Sequence, residues 1–528
     1  MAKHDLSPPA ARARRNGLGD LLWRSACRTP QKTALQFGPR RWTYAALDDA
    51  ANRCARALAA HGIAAGERVA LLSHNHDHYV VLVFALARLG AILVPVNFML
   101  QAGEVGYLLG HSEAVALVAE EALLPVAEAA LARDGATVRL RAVLGERRDA
   151  APAGWQWVGD WLVHPDATPL ETVVDDDAPL QILYTSGTES RPKGATLSAR
   201  NVLAQYVSCI VDGEMQADDV EVHALPLFHC AQQHCFLLPG LMLGATNLLL
   251  PGAEAGALLD AIEAAGATKL FCPPTVWIGL LRHPRFDPAR LATLRKGYYG
   301  ASIMPMEVIR ELAERLPQLR LFNFYGQTEM SPVATILKPE DQLRKLGSAG
   351  RACLNVETRV VDDDDRPVPP GTVGEIVHRG PHVMLGYWHD EQKTAEAFRH
   401  GWFHSGDLGV FDDEGYLRVV DRKKDMIKTG GENVASREVE EVLYAHPAVA
   451  EAAVVGLPDP RWIEAVTAVV VCKAGQPLDE AALIAHCRER LAGFKVPKRV
   501  VFVEALPKNA SGKLLKRELR SRLAQAAA

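Results

Sequence analysis

The hydrophobic positions of the chain follow two alternating periods. Over 45–61, Leu47, Ala51, Cys54, Ala55 and Leu58 recur at helical spacing and Gly62 follows as a stop, which predicts an amphipathic helix. A short apolar run at 69–72, a helical pattern ending near Gly90 and a second apolar run at 92–96 come next. Two strands joined through a helix need a crossover, so they are expected to pair in parallel. The same alternation returns at 246–250, 255–264 and 269–272, with Gly266 closing the helix. An α/β body with helices on the faces of its sheets is the consequence.

Past Val356 the pattern shortens. Strands are predicted at 358–361, 375–378 and 416–420, separated by the acidic turn 362–365 and by Pro367, Pro369, Pro370 and Gly371. After the charged run 421–425 come a helix at 438–444, strands at 450–456 and 466–471, and a helix at 478–491. The expected organisation is a large N-terminal body (1–420) of α/β subdomains plus a β-rich subdomain, followed by a small mobile α+β C-terminal domain (421–528).

Composition narrows the function. At 528 residues and 48% hydrophobic content the chain is too long for one ordinary core, and a net charge of -5 carries no basic footprint for nucleic acid. The apolar stretch 79–96 is interrupted by Arg88 and Gly90 and falls short of a membrane span. Nine scattered cysteines fit reduced thiols, so a cytoplasmic enzyme of small molecules is expected.

Candidate chemistry begins at Thr185-Ser186-Gly187-Thr188-Glu189-Ser190-Arg191-Pro192-Lys193-Gly194, a hydroxyl- and glycine-rich loop after an apolar strand. Amides freed by glycine, hydroxyl donors and a lysine can surround polyphosphate oxygens. It is not a Walker loop, since Lys193 precedes glycine rather than Ser or Thr. Downstream, Tyr325-Gly326-Gln327-Thr328-Glu329 joins an aromatic ring, a hydroxyl and a carboxylate, fit for adenine stacking, α-phosphate donation and magnesium. Taken alone, Thr328-Glu329 reads equally as a helix cap, and Asp407 beside Gly406 as an Asx-turn.

Together these motifs resemble the adenylate-forming superfamily, which contains acyl-CoA synthetases, luciferases and peptide-synthetase adenylation domains; the resemblance covers nearly the whole chain. Glu189-Ser190 stands where many members have Thr-Gly, as in a subgroup of bacterial fatty-acyl-CoA synthetases. The resemblance implies that Gly300-Ala301-Ser302 passes the adenine and the acyl group, that Asp407 and Arg422 grip the ribose, and that Lys424 is a hinge. It further implies that Gly430 and Gly431 line the pantetheine route of coenzyme A, that Lys428 and Asn433 assist, and that Lys513 is the adenylation lysine. The small domain would then rotate about Lys424 between two half-reactions. ATP, Mg2+ and coenzyme A are the implied cofactor and co-substrates, with Glu329 on the metal.

For the acyl pocket the expected wall is His229, Thr275, Val276, Trp277, Tyr298 and Tyr299, with no acidic or cationic residue placed there. That favours a fatty acid of medium or long chain, with an aryl or steroid side-chain acid as alternative and a non-catalytic nucleotide-binding homologue as the alternative of another class. The resemblance also points to a lysine acetyltransferase acting on Lys513, and the sequence leaves a homodimer open. His74, His76, Asp77 and His78 look like metal ligands but are expected to cap a helix at the surface, and the four aspartates from Asp362 to form a turn.

Overall fold

The computed structural model describes residues 8–134, 137–147, 149, 151–185, 191–302, 304–429, 432–473, 475–476, 478–509 and 514–527. The predicted strand–helix–strand unit is present as Arg68–Leu72, Asp77–Leu89 and Ile92–Val96, and the two strands pair in parallel with Leu72 opposite Val96. The helix Tyr44–Ala60 packs on it, its buried residues including Leu47, Ala51, Cys54, Ala55 and Leu58.

Two large sheets dominate the body. Across an eight-stranded sheet the order is 386–387, 193–198, 179–185, 92–96, 68–72, 116–120, 140–144 and 156–157. Across a nine-stranded sheet it is 351–352, 333–337, 320–326, 296–300, 269–271, 220–223, 246–249, 33–37 and 40–43. One core draws Val69, Leu93, Leu183 and Leu197 from the first sheet and Phe271, Tyr298, Phe322 and Phe324 from the second. A second core packs Leu258, Ile262, Trp277, Leu280 and Ile309 against the nine-stranded sheet.

The β-rich segment forms a five-stranded sheet of 357–361, 374–379, 402–411, 398–399 and 417–422. The acidic turn is one: the Asp362 carboxylate accepts from the amides of Asp364 and Arg366, and Asp365 has a φ of 62°. The last sheet contains 427–429, 432–434, 449–459, 463–472 and 499–502, with apolar clusters of its own under Ser436–Tyr444 and Glu480–Arg488 and under Lys516–Ala527. Its two long strands run further than the apolar runs suggest because Leu457 to Asp459 continue pairing with Ala465 to Ile463.

His76, Asp77 and His78 correct one expectation. His76 does cap the helix, accepting from the His78 amide, but the three side chains are buried rather than at the surface. Arg40 grips Asp77 through Nε and Nη2, and Trp42 donates to the same carboxylate. Burial alone would raise the Asp77 carboxyl, yet the hydrogen bonds from His76 and Arg40 hold it well below the usual range. His74 lies apart from this cluster, on Glu120.

Candidate functional site

The site is built where parallel strands of the nine-stranded sheet end, the usual place for a ligand crevice in an open α/β sheet. Lys296–Gly300 and Arg320–Gly326 are register partners up to Gly300 opposite Phe324. A Cβ at Gly300 would lie 2.4 Å from the Phe324 carbonyl, and one at Gly326 2.0 Å from the Pro332 carbonyl. Glycine is therefore required at both positions for the strands to approach. Ala301 follows with a φ of 62°, a backbone conformation that costs a non-glycine residue of order 1–3 kcal/mol.

On one side stands the trio Tyr325, Asp407 and Arg422. The Tyr325 hydroxyl donates to Asp407 Oδ2 at 2.7 Å, and Arg422 Nε is 3.6 Å from Asp407 Oδ1. Asp407 and Arg422 face each other across antiparallel strands, and Gly406 turns the chain before Asp407 with a φ of 72°. Burial, reinforced by the Asp407 charge, pushes the Tyr325 phenol far above its ordinary pKa, so it stays a donor.

On the other side Tyr387 joins Lys193 to Glu329. Its hydroxyl donates to Glu329 Oε1 at 2.9 Å, and the Lys193 ammonium lies 5.1 Å from its ring centroid. The segment is held at several points: Tyr387 pairs with Ala195, the Trp388 amide donates to Gly194, and the Met384 amide donates to the Glu329 carbonyl. Thr328 Oγ1 is 3.3 Å from Cys230 Sγ, whose thiol is pushed up to about 12 by burial and so remains protonated. Gln327, between the two sides, keeps both amide atoms buried without a hydrogen-bond partner among the described residues.

Thr185 and Lys193 are cross-strand partners, so the phosphate loop between them closes a hairpin. Ser186, Gly187 and Thr188 lie outside the described residues, as do Gly430, Gly431 and Lys513. At the charged run, burial lowers the Lys424 ammonium, with Arg422 adding repulsion. Asp421 accepts from the amide and hydroxyl of Ser436, and Asp425 is paired with Arg520 at 2.9 Å. Lys428 and Asn433 are exposed cross-strand partners.

Two expected pocket residues are placed differently. Trp277 is fully buried and donates to the Tyr298 carbonyl, and Tyr299 donates to Gln342; both belong to the second core. Tyr298 packs into the other core, because successive side chains of a strand face opposite ways. His229, Thr275, Val276 and Ser302 are half-buried. Sequence reasoning missed Tyr387 and Cys230; the signal for the first was the aromatic pair Tyr387-Trp388 after Gly386, but its partners are remote in the chain.

The model of the AMP-binding enzymes matches residues 22–388, and that of their C-terminal domain matches 438–513. The chain belongs to the AMP-binding enzyme family. This AMP-binding enzyme is 40% identical over 510 residues to a feruloyl-CoA synthase of an Amycolatopsis species, covering 96% of this chain and 99% of the relative. An indoleacetate–CoA ligase of Aromatoleum aromaticum is also 40% identical, over 96% of this chain and 98% of its own. A long-chain-fatty-acid–CoA ligase of Mycobacterium tuberculosis is 35% identical over 91% and 93%. Among solved structures, the anthranilate CoA ligase AuaEII in complex with anthranoyl-AMP superposes with a TM-score of 0.90 at 28% identity, covering 100% of both chains. The chain is thus an AMP-forming acid–thiol ligase of mixed α/β architecture.

Proposed function

We propose that this ligase activates an aryl or arylalkyl carboxylic acid as its acyl-adenylate and passes the acyl group to coenzyme A. The single observation that carries the aryl reading is the 40% identity, over almost the whole chain, to ligases named for feruloyl and indoleacetate. The fatty-acid reading rests on the 35% identical long-chain relative and on the lack of a charged specificity residue in the expected pocket.

The roles follow from the geometry. Asp407, fixed by Tyr325 and near Arg422, accepts the ribose hydroxyls; Thr328 donates to an α-phosphate oxygen. Lys193 and the loop amides neutralise the β- and γ-phosphates, and Lys513 bridges the attacking carboxylate and the α-phosphate. The substrate carboxylate forms the new bond to phosphorus as pyrophosphate leaves; the coenzyme A thiolate then attacks the acyl carbon and AMP leaves.

Glu329 fits a magnesium ion: among the described residues its carboxylate is bonded to Tyr387 alone, and Mg2+ favours one or two carboxylates plus substrate phosphates. Bound there, the ion would supply charge neutralisation on the phosphates. Rotation of the C-terminal domain about Lys424 would bring Lys513 and then the Gly430–Gly431 segment to the same site. The test is a panel of aryl, indolyl and straight-chain acids assayed for thioester product. Turnover of the aryl acids supports the reading, and turnover of fatty acids alone overturns it.

A further inference from the structure

The stretch that leads to Thr328 from the pocket side is lined with rings. Cys230, which touches Thr328, follows Phe228 and His229. The Phe228 ring meets the edge of Phe98 at 5.4 Å and 84°, and Phe98 lies 4.1 Å from the His74 ring at 33°. All three rings are half-buried, so each keeps open surface. His74 owes its position to Glu120, whose Oε2 accepts from its backbone amide at 2.7 Å and lies 3.0 Å from its Nδ1.

The turn holding His74 is also tied to the pocket segment itself. Asn75 donates to the Leu225 and Leu250 carbonyls at 2.9 Å and accepts from the Leu227 amide at 2.8 Å. A residue that reads as a metal ligand in the sequence is thus the outer ring of a ladder that begins beside the catalytic hydroxyl. Aliphatic chains gain only area against such a wall, whereas a planar aromatic group also gains offset or edge-to-face contact.

We infer that His74 and Phe98, with Phe228, form the wall that selects the aromatic ring of the acid substrate. The inference rests on the aryl reading above and names its specificity residues. A carboxylate at Thr328 would leave the remainder of the acid to run along Phe228 toward Phe98, with His74 at the far end. His74 and Phe98 belong to the turns after two parallel strands of the eight-stranded sheet, Arg68–Leu72 and Ile92–Val96, so the wall is carried by that sheet and not by the strands that hold Thr328.

The test compares the full-length enzyme with Phe98→Leu, His74→Leu and Phe98→Tyr, using 3-phenylpropanoate and octanoate as acids. In each leucine variant kcat/KM for the aryl acid should fall roughly three- to tenfold, the size expected for one lost aromatic contact. Octanoate should change less than twofold, the KM values for ATP and coenzyme A should hold, and Phe98→Tyr should retain the aryl preference. Equal loss for both acids, or a raised coenzyme A KM with an unchanged acid ratio, would overturn the assignment. A wild-type enzyme that prefers octanoate overturns the aryl reading and this inference with it. Aryl preference in the wild type that persists undiminished in both leucine variants overturns the ladder alone.

Discussion

The hydroxyl of Tyr387 donates to the carboxylate of Glu329 at 2.9 Å. The same ring lies under the Lys193 ammonium, so one side chain reaches both a cation at the phosphate hairpin and the carboxylate suited to magnesium. Hydrogen bonds to charged groups contribute about 1.5–3 kcal/mol. Tyr387→Phe keeps the ring and removes the bond, and should lower kcat/KM for Mg-ATP by roughly ten- to a hundredfold. Pyrophosphate release titrated against Mg2+ would show a raised requirement for the ion; an unchanged Mg2+ curve would mean that Glu329 needs no such support.

Tyr325 bears the same relation to Asp407. Tyr325→Phe removes a donor from a carboxylate that must still accept the ribose, so binding of ATP should weaken by about tenfold while the melting temperature moves little. Isothermal titration with ATP and with 2′-deoxy-ATP separates the two contributions. If discrimination between these nucleotides is unaltered by the substitution, Asp407 does not read the ribose.

Much of this arrangement was legible in the chain. The runs at 69–72 and 92–96 and the helix between them specify a parallel pair, because no short turn could join them. The cross-strand pair Asp407–Arg422 was visible only as two separate motifs, and the structure supplies their 3.6 Å approach. Trp277 and Tyr299 were misread because both faces of the nine-stranded sheet are covered: a strand buried on both sides gives no alternation by which to tell pocket from core. His76, Asp77 and His78 look like a surface cap because their partners, Arg40 and Trp42, lie about 35 residues away on another strand. Tyr387 was missed for the same reason, being 58 residues from Glu329.

Buried neutral histidines set the acid limit of the fold. Burial lowers His78 to about 4 and His234 and His378 to about 3. Each folded pKa lies below the unfolded value near 6.5, so the unfolded state binds more protons and stability falls with pH below about 6.5. That loss continues down to the folded values. Thermal melts from pH 7 to pH 4.5 should show a steady decline, and His234→Gln should flatten its slope. An identical slope in that variant would show that His234 is protonated in the folded protein.

Asp77 makes a separate prediction. Its carboxylate takes hydrogen bonds from Arg40, Trp42 and the His78 amide inside the body. Removing one partner of a buried pair costs about 3–5 kcal/mol, so Asp77→Ala should unfold at markedly lower denaturant. Because the Asp77 pKa is depressed, its contribution is present above the ordinary carboxylate range and lost only as pH falls below it. Urea midpoints at pH 7 and pH 3.5 should therefore differ less in the variant than in the wild type.

Exchange of labelled pyrophosphate into ATP, measured with an aryl acid present and coenzyme A absent, tests the central claim most directly. Exchange that depends on the acid, and that Lys513→Ala abolishes while thioester formation from preformed aryl-AMP survives, is the outcome the two-step account predicts. Exchange that appears only with coenzyme A, or formation of ADP and phosphate in place of AMP and pyrophosphate, would contradict it.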